Sequence, residues 1–151
     1  MKKDIDEAVK KALSAYGKES LLEMKAILER KGKGDSRLIH SIKYSVKKNA
    51  KGYELNIIMP DYAVFVDKGR KPGKQPPLEA IKKWTKRKGI PEMAAFPIAR
   101  NIGKFGIKPL NFTVPLRSRL YLLEMEIDKM VNFEIERIFT EAEKSYKAKI
   151  N

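Results

Sequence analysis

"KYSVKKNAKGYELNIIMP" (residues 43–60) is the stretch on which the fold class turns. Before it, apolar residues recur every three or four positions, the period of a helix; from Lys43 onward the period becomes two. Tyr44 and Val46 alternate with polar neighbours, "AKG" (50–52) supplies a turn, and Tyr53, Leu55 and Ile57 return on one face. Alternation on both sides of a short glycine-containing turn predicts an antiparallel β-hairpin. A chain otherwise written in helical periods and interrupted by one hairpin is α+β: a small antiparallel sheet with short helices, flanked by long N- and C-terminal helices.

Toward the N-terminus, residues 4–31 read as a helix. Ile5, Ala8, Val9, Ala12, Leu13 and Tyr16 carry the first half of its apolar stripe; Leu21, Leu22, Met24, Ile27 and Leu28 carry the second. Gly17, between them, is expected to mark a bend. "KGKGD" (31–35) ends the helix with glycine at the C-cap, and Asp35 or Ser36 then starts a short helical turn through Leu38, Ile39 and Ile42.

Toward the C-terminus, Asp61 is expected to cap a short helix bearing Tyr62, Phe65 and Val66, which Gly69 ends. A loop, 69–76, follows. Pro76 and Pro77 open a helix with Leu78, Ile81 and Trp84 or Thr85 on one side, closed by Gly89, Ile90 and Pro91. Residues 95–104 form a further short helix ending near Gly103 or Gly106. In 107–115, Phe112 and Val114 alternate with Asn111 and Thr113, which predicts an extended segment placed by its prolines at a sheet edge.

Leu116 to about Lys147 is the most regular helical pattern in the chain. Its main stripe runs through Leu120, Leu123, Ile127, Met130, Val131, Ile135, Ile138, Ala142 and Tyr146. Unbroken, these 32 residues would extend about 48 Å, against a diameter of about 38 Å for a globule of this length. The helix therefore bends, or projects toward something outside its own domain. Leu122, Met125 and Phe133 cluster on the side opposite the stripe, and apolar residues on two sides of a helix call for two partners. The second partner is either the chain's own 107–115 segment or a neighbouring subunit, so these three residues are the candidate subunit interface.

A length of 151 residues fits one domain, 1–151, with a core large enough to stand without staples. There are no cysteines, which removes disulfides and thiolate chemistry together, and a single histidine, His40, cannot alone build a multi-histidine metal site. The N-terminal stretch mixes acids and lysines and lacks the apolar core of a signal peptide, and no apolar run approaches the roughly 20 residues of a membrane span. The expectation is a soluble, intracellular protein without a membrane partner.

The formal net charge of +14 is unevenly distributed: residues 61–110 hold twelve basic and four acidic side chains, whereas residues 111–151 hold seven of each. A positive field of this kind attracts nucleic acid or an acidic protein surface. A lysine-rich composition, with 25 lysines among the 33 basic residues, is the alternative source of the same charge. Lys68, Arg70, Lys71, Lys74, Lys82, Lys83, Lys86 and Arg87 are the candidate partner- or DNA-facing residues. Trp84 among them is either a base-stacking platform or a continuation of the Leu78–Ile81 apolar spacing.

No catalytic motif survives a test of spacing. "GRKPGKQ" (69–75) resembles a phosphate-binding loop, but three residues separate its glycines where four are needed, Pro72 removes a backbone donor, and Gln75 stands where a magnesium-binding Ser or Thr belongs. Pro60-Asp61 suggests a metal-dependent nuclease, yet the next acid, Asp67, precedes Lys68 directly on the same short helix. Glu124, Glu126 and Asp128 spread around their helix. His40 lies among apolar residues with no nucleophile motif near it. The reading is a protein with no catalytic site, metal or cofactor.

Residues 60–115 carry an ordered series of short motifs: Tyr62-Ala63-Val64-Phe65-Val66-Asp67-Lys68-Gly69-Arg70; the Pro76-Pro77 loop; a Trp84-bearing helix ending Lys88-Gly89-Ile90; "AFPIAR" (95–100); and Gly106, Lys108, Pro109 and Phe112. In that order and spacing the segment resembles the tail-completion and head–tail joining (neck) proteins of tailed bacteriophages. The resemblance implies an α+β virion protein, made in the host cytoplasm, that forms a six- or twelvefold ring between portal and tail without catalysis. It implies portal, connector or tail proteins as neighbours and DNA in the channel as a further partner. It makes Tyr62, Ala63, Asp67, Gly69, Trp84, Gly89, Arg100, Gly106 and Pro109 structural motif positions. A stand-alone basic nucleic-acid-binding domain is the alternative.

Overall fold

The computed structural model describes residues 2–33 and 36–150. In chain order the elements are α1 (Lys2–Arg30), α2 (Arg37–Ser41), β1 (Lys43–Asn49), β2 (Gly52–Ile58), α3 (Ala63–Lys68), α4 (Leu78–Lys88), a 3-10 turn (Glu92–Ala94), α5 (Ala95–Phe105), α6 (Val114–Ser118) and α7 (Leu120–Ile150). This is the α+β arrangement expected, with one two-stranded antiparallel sheet between long terminal helices. The chain forms two compact units, Met1–Pro60 with Phe112–Asn151 and Asp61–Asn111.

The first unit is organised by α1, which packs against the hairpin, α6 and α7. Its inner face follows the helical period: Ala12, Tyr16, Met24 and Leu28 are buried. Ala12 and Tyr16 join Leu123 in a cluster completed by Leu13, Leu55, Ile127 and Met130. Burying each large apolar side chain contributes about 1.5–3 kcal/mol, so this seam between α1, β2 and α7 holds the unit. The Tyr16 hydroxyl, in a mostly apolar setting, donates to the Leu116 carbonyl, and Arg119 bridges Glu19 and Glu23 on α1.

Gly17 does not bend α1, which runs through it as one helix of 29 residues. Its role is proximity: a Cβ there would stand 2.7 Å from the Tyr44 ring and 2.9 Å from the Leu55 side chain. The missing side chain is what lets the hairpin lie on the helix. After Arg30, the Gly32 amide donates to the Glu29 carbonyl and the Lys33 amide to Leu28, the paired bonds that commonly finish a helix before a glycine turn. Asp35, one of the two expected caps of α2, lies outside the described residues. Ser36 occupies the cap position without a side-chain capping bond.

The hairpin register pairs Tyr44 with Ile57, Val46 with Leu55 and Lys48 with Tyr53, which puts the alternating apolar residues of both strands on one face as the pattern requires. Asn49 faces Gly52 across the two-residue turn, and its side-chain oxygen accepts from the Lys51 amide.

Three expectations are corrected toward the C-terminus. Asp61 is not the cap of α3; Tyr62 holds that position, its carbonyl accepting from Phe65 and Val66. The segment 107–115 is not a strand: only Ile107 makes a β-bridge, to Arg70, and Val114 and Pro115 begin α6, where proline's fixed φ suits a first helical turn. The long final helix is not unbroken from Leu116; α6 ends at Ser118, Arg119 intervenes, and α7 then runs for 31 residues, about 46 Å.

The second unit packs α4 against α5, with the 3-10 turn touching both. Small residues, Ala95 and Ala99 on α5, are buried, as are Ala63 and Asp67 on α3. Thr85 is fully buried on α4, its hydroxyl donating to the Lys82 carbonyl one turn back, while Ile81 and Trp84 are half-buried and Leu78 is exposed. Helix α4 closes at Gly89, where the Gly89 amide donates to Lys86 and Ile90 to Thr85.

Candidate assembly and charge-bearing surfaces

Four of the motif positions, Asp67, Gly69, Gly106 and Pro109, lie along one backbone crossing. The Arg70 and Ile107 amides each donate to the other's carbonyl at 2.8 Å, Gly73 donates to Gly103 at 2.7 Å, Leu110 to Val66 at 3.0 Å and Asn111 to Asp67 at 2.9 Å. Backbone bonds thus tie residues 66–73 to residues 103–111 along the whole length of the crossing. Gly69 and Gly106 sit within it with φ of 70° and 71°. A Cβ on Gly69 would meet the Ile107 carbonyl oxygen at 2.3 Å, and one on Gly106 the Arg70 carbonyl oxygen at 2.2 Å. Backbone can approach backbone that closely only where both residues lack side chains.

Glycine in this loop is therefore architectural. The Arg70 and Gly73 amides, which a phosphate cradle would have to offer, are occupied by backbone carbonyls. Pro109 packs against the Gly69 position from the returning segment, and Ala63 and Asp67 are buried on α3. Tyr62 lies under the Arg87 guanidinium, 5.8 Å from ring centroid to charge, within cation–π range. Gly89 ends α4, and Arg100 is exposed on α5.

The candidate basic residues all lie in the second unit and differ in freedom. Lys68, Lys71, Lys74, Lys83, Lys86 and Arg87 are exposed. Arg70 is half-buried and donates to the Lys74 carbonyl at 3.0 Å, bracing the loop. Lys82 is half-buried between Glu92 at 3.2 Å and Glu79 at 3.4 Å. The hydrogen bond to Glu92, then the charge of Glu79, raises its ammonium above the ordinary lysine range. Lys82 is thus spoken for, and the outward charge of α4 rests on Lys83, Lys86, Arg87 and Lys88. Trp84 is half-buried on α4, as is Ile81 three residues before it.

The candidate interface residues are all at the surface: Leu122 is 42% exposed, Met125 49% and Phe133 66%, while Leu123 of the opposite stripe is 7% exposed. The main stripe is covered unevenly. Leu123 is buried and Ile127, Met130, Val131 and Ile138 are half-buried, but Leu120, Ile135, Ala142 and Tyr146 are exposed.

Residue spacing does not single out the outer face of α5. Phe96, 58% exposed, and Met93, 90% exposed, line one shallow groove with Leu78, and Arg100 and Lys104 continue the same face at four-residue steps. The signal is present as Phe96-x3-Arg100-x3-Lys104 but masked by the motif that contains it. His40 is exposed on α2. Among the described residues no group of three or more His, Asp or Glu side chains is placed to hold a metal ion, and no helix is long and apolar enough to cross a membrane. Comparison with family models, with curated proteins and with solved structures finds no match.

Proposed function

We propose that the chain is a non-enzymatic structural protein of a bacteriophage particle, forming an oligomeric ring in the head–tail connector or neck or completing the tail. The ordered motifs of residues 60–115 supply the class, and the backbone crossing gives Gly69, Gly106 and Pro109 physical reasons to stand where that resemblance has them. One observation carries the assembly: α7 spends one side on its own core through Leu123, Ile127 and Met130, yet exposes Leu122, Met125 and Phe133 on the other. Exposed apolar patches rimmed by charge mark interaction sites, and a ring covers every such patch by one contact repeated through rotation. Portal, connector or tail proteins are the neighbours, with the basic second unit turned to an acidic ring or to DNA in the channel. Mass spectrometry of purified particles of the phage that encodes the chain is the test. The protein is expected at stoichiometric abundance, and its absence from washed particles refutes the reading.

A second reading, a stand-alone nucleic-acid-binding domain, is favoured by the second unit itself, where twelve basic and four acidic residues give a net charge of +8. It predicts DNA binding by a monomer that weakens steeply with salt. Replacing Lys82, Lys83, Lys86 and Arg87 by Ala would then flatten the log–log salt slope by about 0.9 for each phosphate no longer neutralised.

A further inference from the structure

The +14 chain contains one strongly acidic stretch, residues 120–136 at the start of α7, with five carboxylates, Glu124, Glu126, Asp128, Glu134 and Glu136, against the single base Lys129. The same stretch exposes Leu122, Met125 and Phe133. At ~100° per residue, Glu126, Glu136 and the exposed Lys129 lie on the side of the helix that carries these three, two carboxylates against one ammonium. None of the three is in an ion pair among the described residues. The outer face of the 3-10 turn and α5 has the complementary make-up: exposed Met93 and Phe96, then Arg100 and Lys104, exposed and also in no ion pair among the described residues.

We propose that the Leu122–Met125–Phe133 face of α7 docks on the Met93–Phe96–Arg100–Lys104 face of a second copy of this chain. The inference rests on the assembly reading above and deepens it by naming the two surfaces. Charge decides the mode. Two α7 faces set against each other would bring four carboxylates against two lysines, and two α5 faces would bring only cations together; like charges in juxtaposition oppose an interface. The unlike pairing is the most nearly balanced: it places Glu126 and Glu136 opposite Arg100 and Lys104 while apolar meets apolar, with Lys129 the one cation left over. Such a contact uses a different patch on each partner, so a pair of copies retains one unused face of each kind and the series closes into a ring or continues. The spacing is compatible: Phe96 to Lys104 spans eight residues and Met125 to Phe133 also spans eight, about 12 Å along each helix.

The experiment mixes two variants, each blind on one face. Phe133→Asp removes the α7 face and Phe96→Asp the α5 face; light scattering then reads the mass of each alone and of the mixture, with circular dichroism melting to confirm folding. The expectation is a wild type that assembles, two variants that are each monomeric, and a one-to-one dimer in the mixture, since one intact pairing remains. Charge reversal at exposed positions provides a pair that leaves the apolar residues untouched. Glu126→Lys with Glu136→Lys, and Arg100→Glu with Lys104→Glu, should each weaken self-association roughly tenfold or more, and mixing the two should restore it.

A mixture that stays monomeric while the wild type assembles overturns the pairing and leaves the ring reading standing. Variants that still assemble alone, or dimerise through an unaltered like face, overturn it as well. A monomeric wild type overturns the assembly reading and this inference with it.

Discussion

Replacing Gly69 by Ala is the most informative single change in the second unit. Gly69 has φ 70° and ψ −167°, a conformation all but confined to glycine, and forcing alanine into it costs about 1–3 kcal/mol. The new Cβ would also stand 2.3 Å from the Ile107 carbonyl oxygen and 2.8 Å from the Pro109 nitrogen, both backbone atoms that cannot rotate away. The returning segment must retreat, which loosens the reciprocal Arg70–Ile107 bonds at about 0.5–1.5 kcal/mol each. The combined loss is about 2–6 kcal/mol, a large share of the ~5–15 kcal/mol by which domains are stable. Gly89→Ala is the matched control: Gly89 has φ 67° and ψ 21°, but nothing lies within 4 Å of its Cβ position, so only the left-handed backbone penalty of about 1–2 kcal/mol applies. Urea titration of both variants should show the larger midpoint shift for Gly69→Ala, by about 1 M or more at ordinary denaturant sensitivities. Hydrogen exchange should localise the loss to the Arg70 and Ile107 amides. Equal shifts for the two variants, or unchanged protection at Ile107, would refute the claim that a close backbone crossing, and not a turn preference, requires glycine at 69.

Further expectations concern the first unit and α7. Gly17→Leu should destabilise by about 1–3 kcal/mol by overpacking α1 against Tyr44 and Leu55, visible as a lowered melting temperature. Leu123→Ala, which empties part of the α1–α7 seam, should cost about 2–5 kcal/mol in denaturant titration. Phe133→Asp, or Leu122→Asp with Met125→Asp, should leave the melting curve of the monomer within about 0.5 kcal/mol of wild type, because these side chains are exposed, while abolishing assembly. Arg119→Ala should cost only about 1 kcal/mol, and less in high salt, since its Glu19 and Glu23 partners are about half exposed.

What is legible in the sequence is local. The hairpin follows from the change of period at Lys43, because side-chain direction in a strand depends only on neighbours two residues away. Helix α1 and its end at Gly32 follow from spacing and a glycine stop in the same way. Two of the failures share a cause: each depends on a partner distant in the chain. Gly17 looks like a helix breaker until Tyr44 and Leu55 are placed against it. Residues 107–115 alternate like a strand, yet Asn111 turns the chain with φ 53° and its amide donates to the carbonyl of Asp67, far back in the sequence. Among the candidate site residues, the exposure of Leu122, Met125 and Phe133 is readable from helical angle alone. The division of labour among the lysines is not, because it requires knowing that Glu92 reaches back to Lys82.

If this chain acts by assembling with copies of itself, its mass in solution must show it. Multi-angle light scattering of the purified protein across a concentration series should give a discrete mass at a high multiple of 17.3 kDa that falls to 17.3 kDa in Phe133→Asp. A wild-type protein that remains at 17.3 kDa at every concentration would contradict self-assembly as its mode of action.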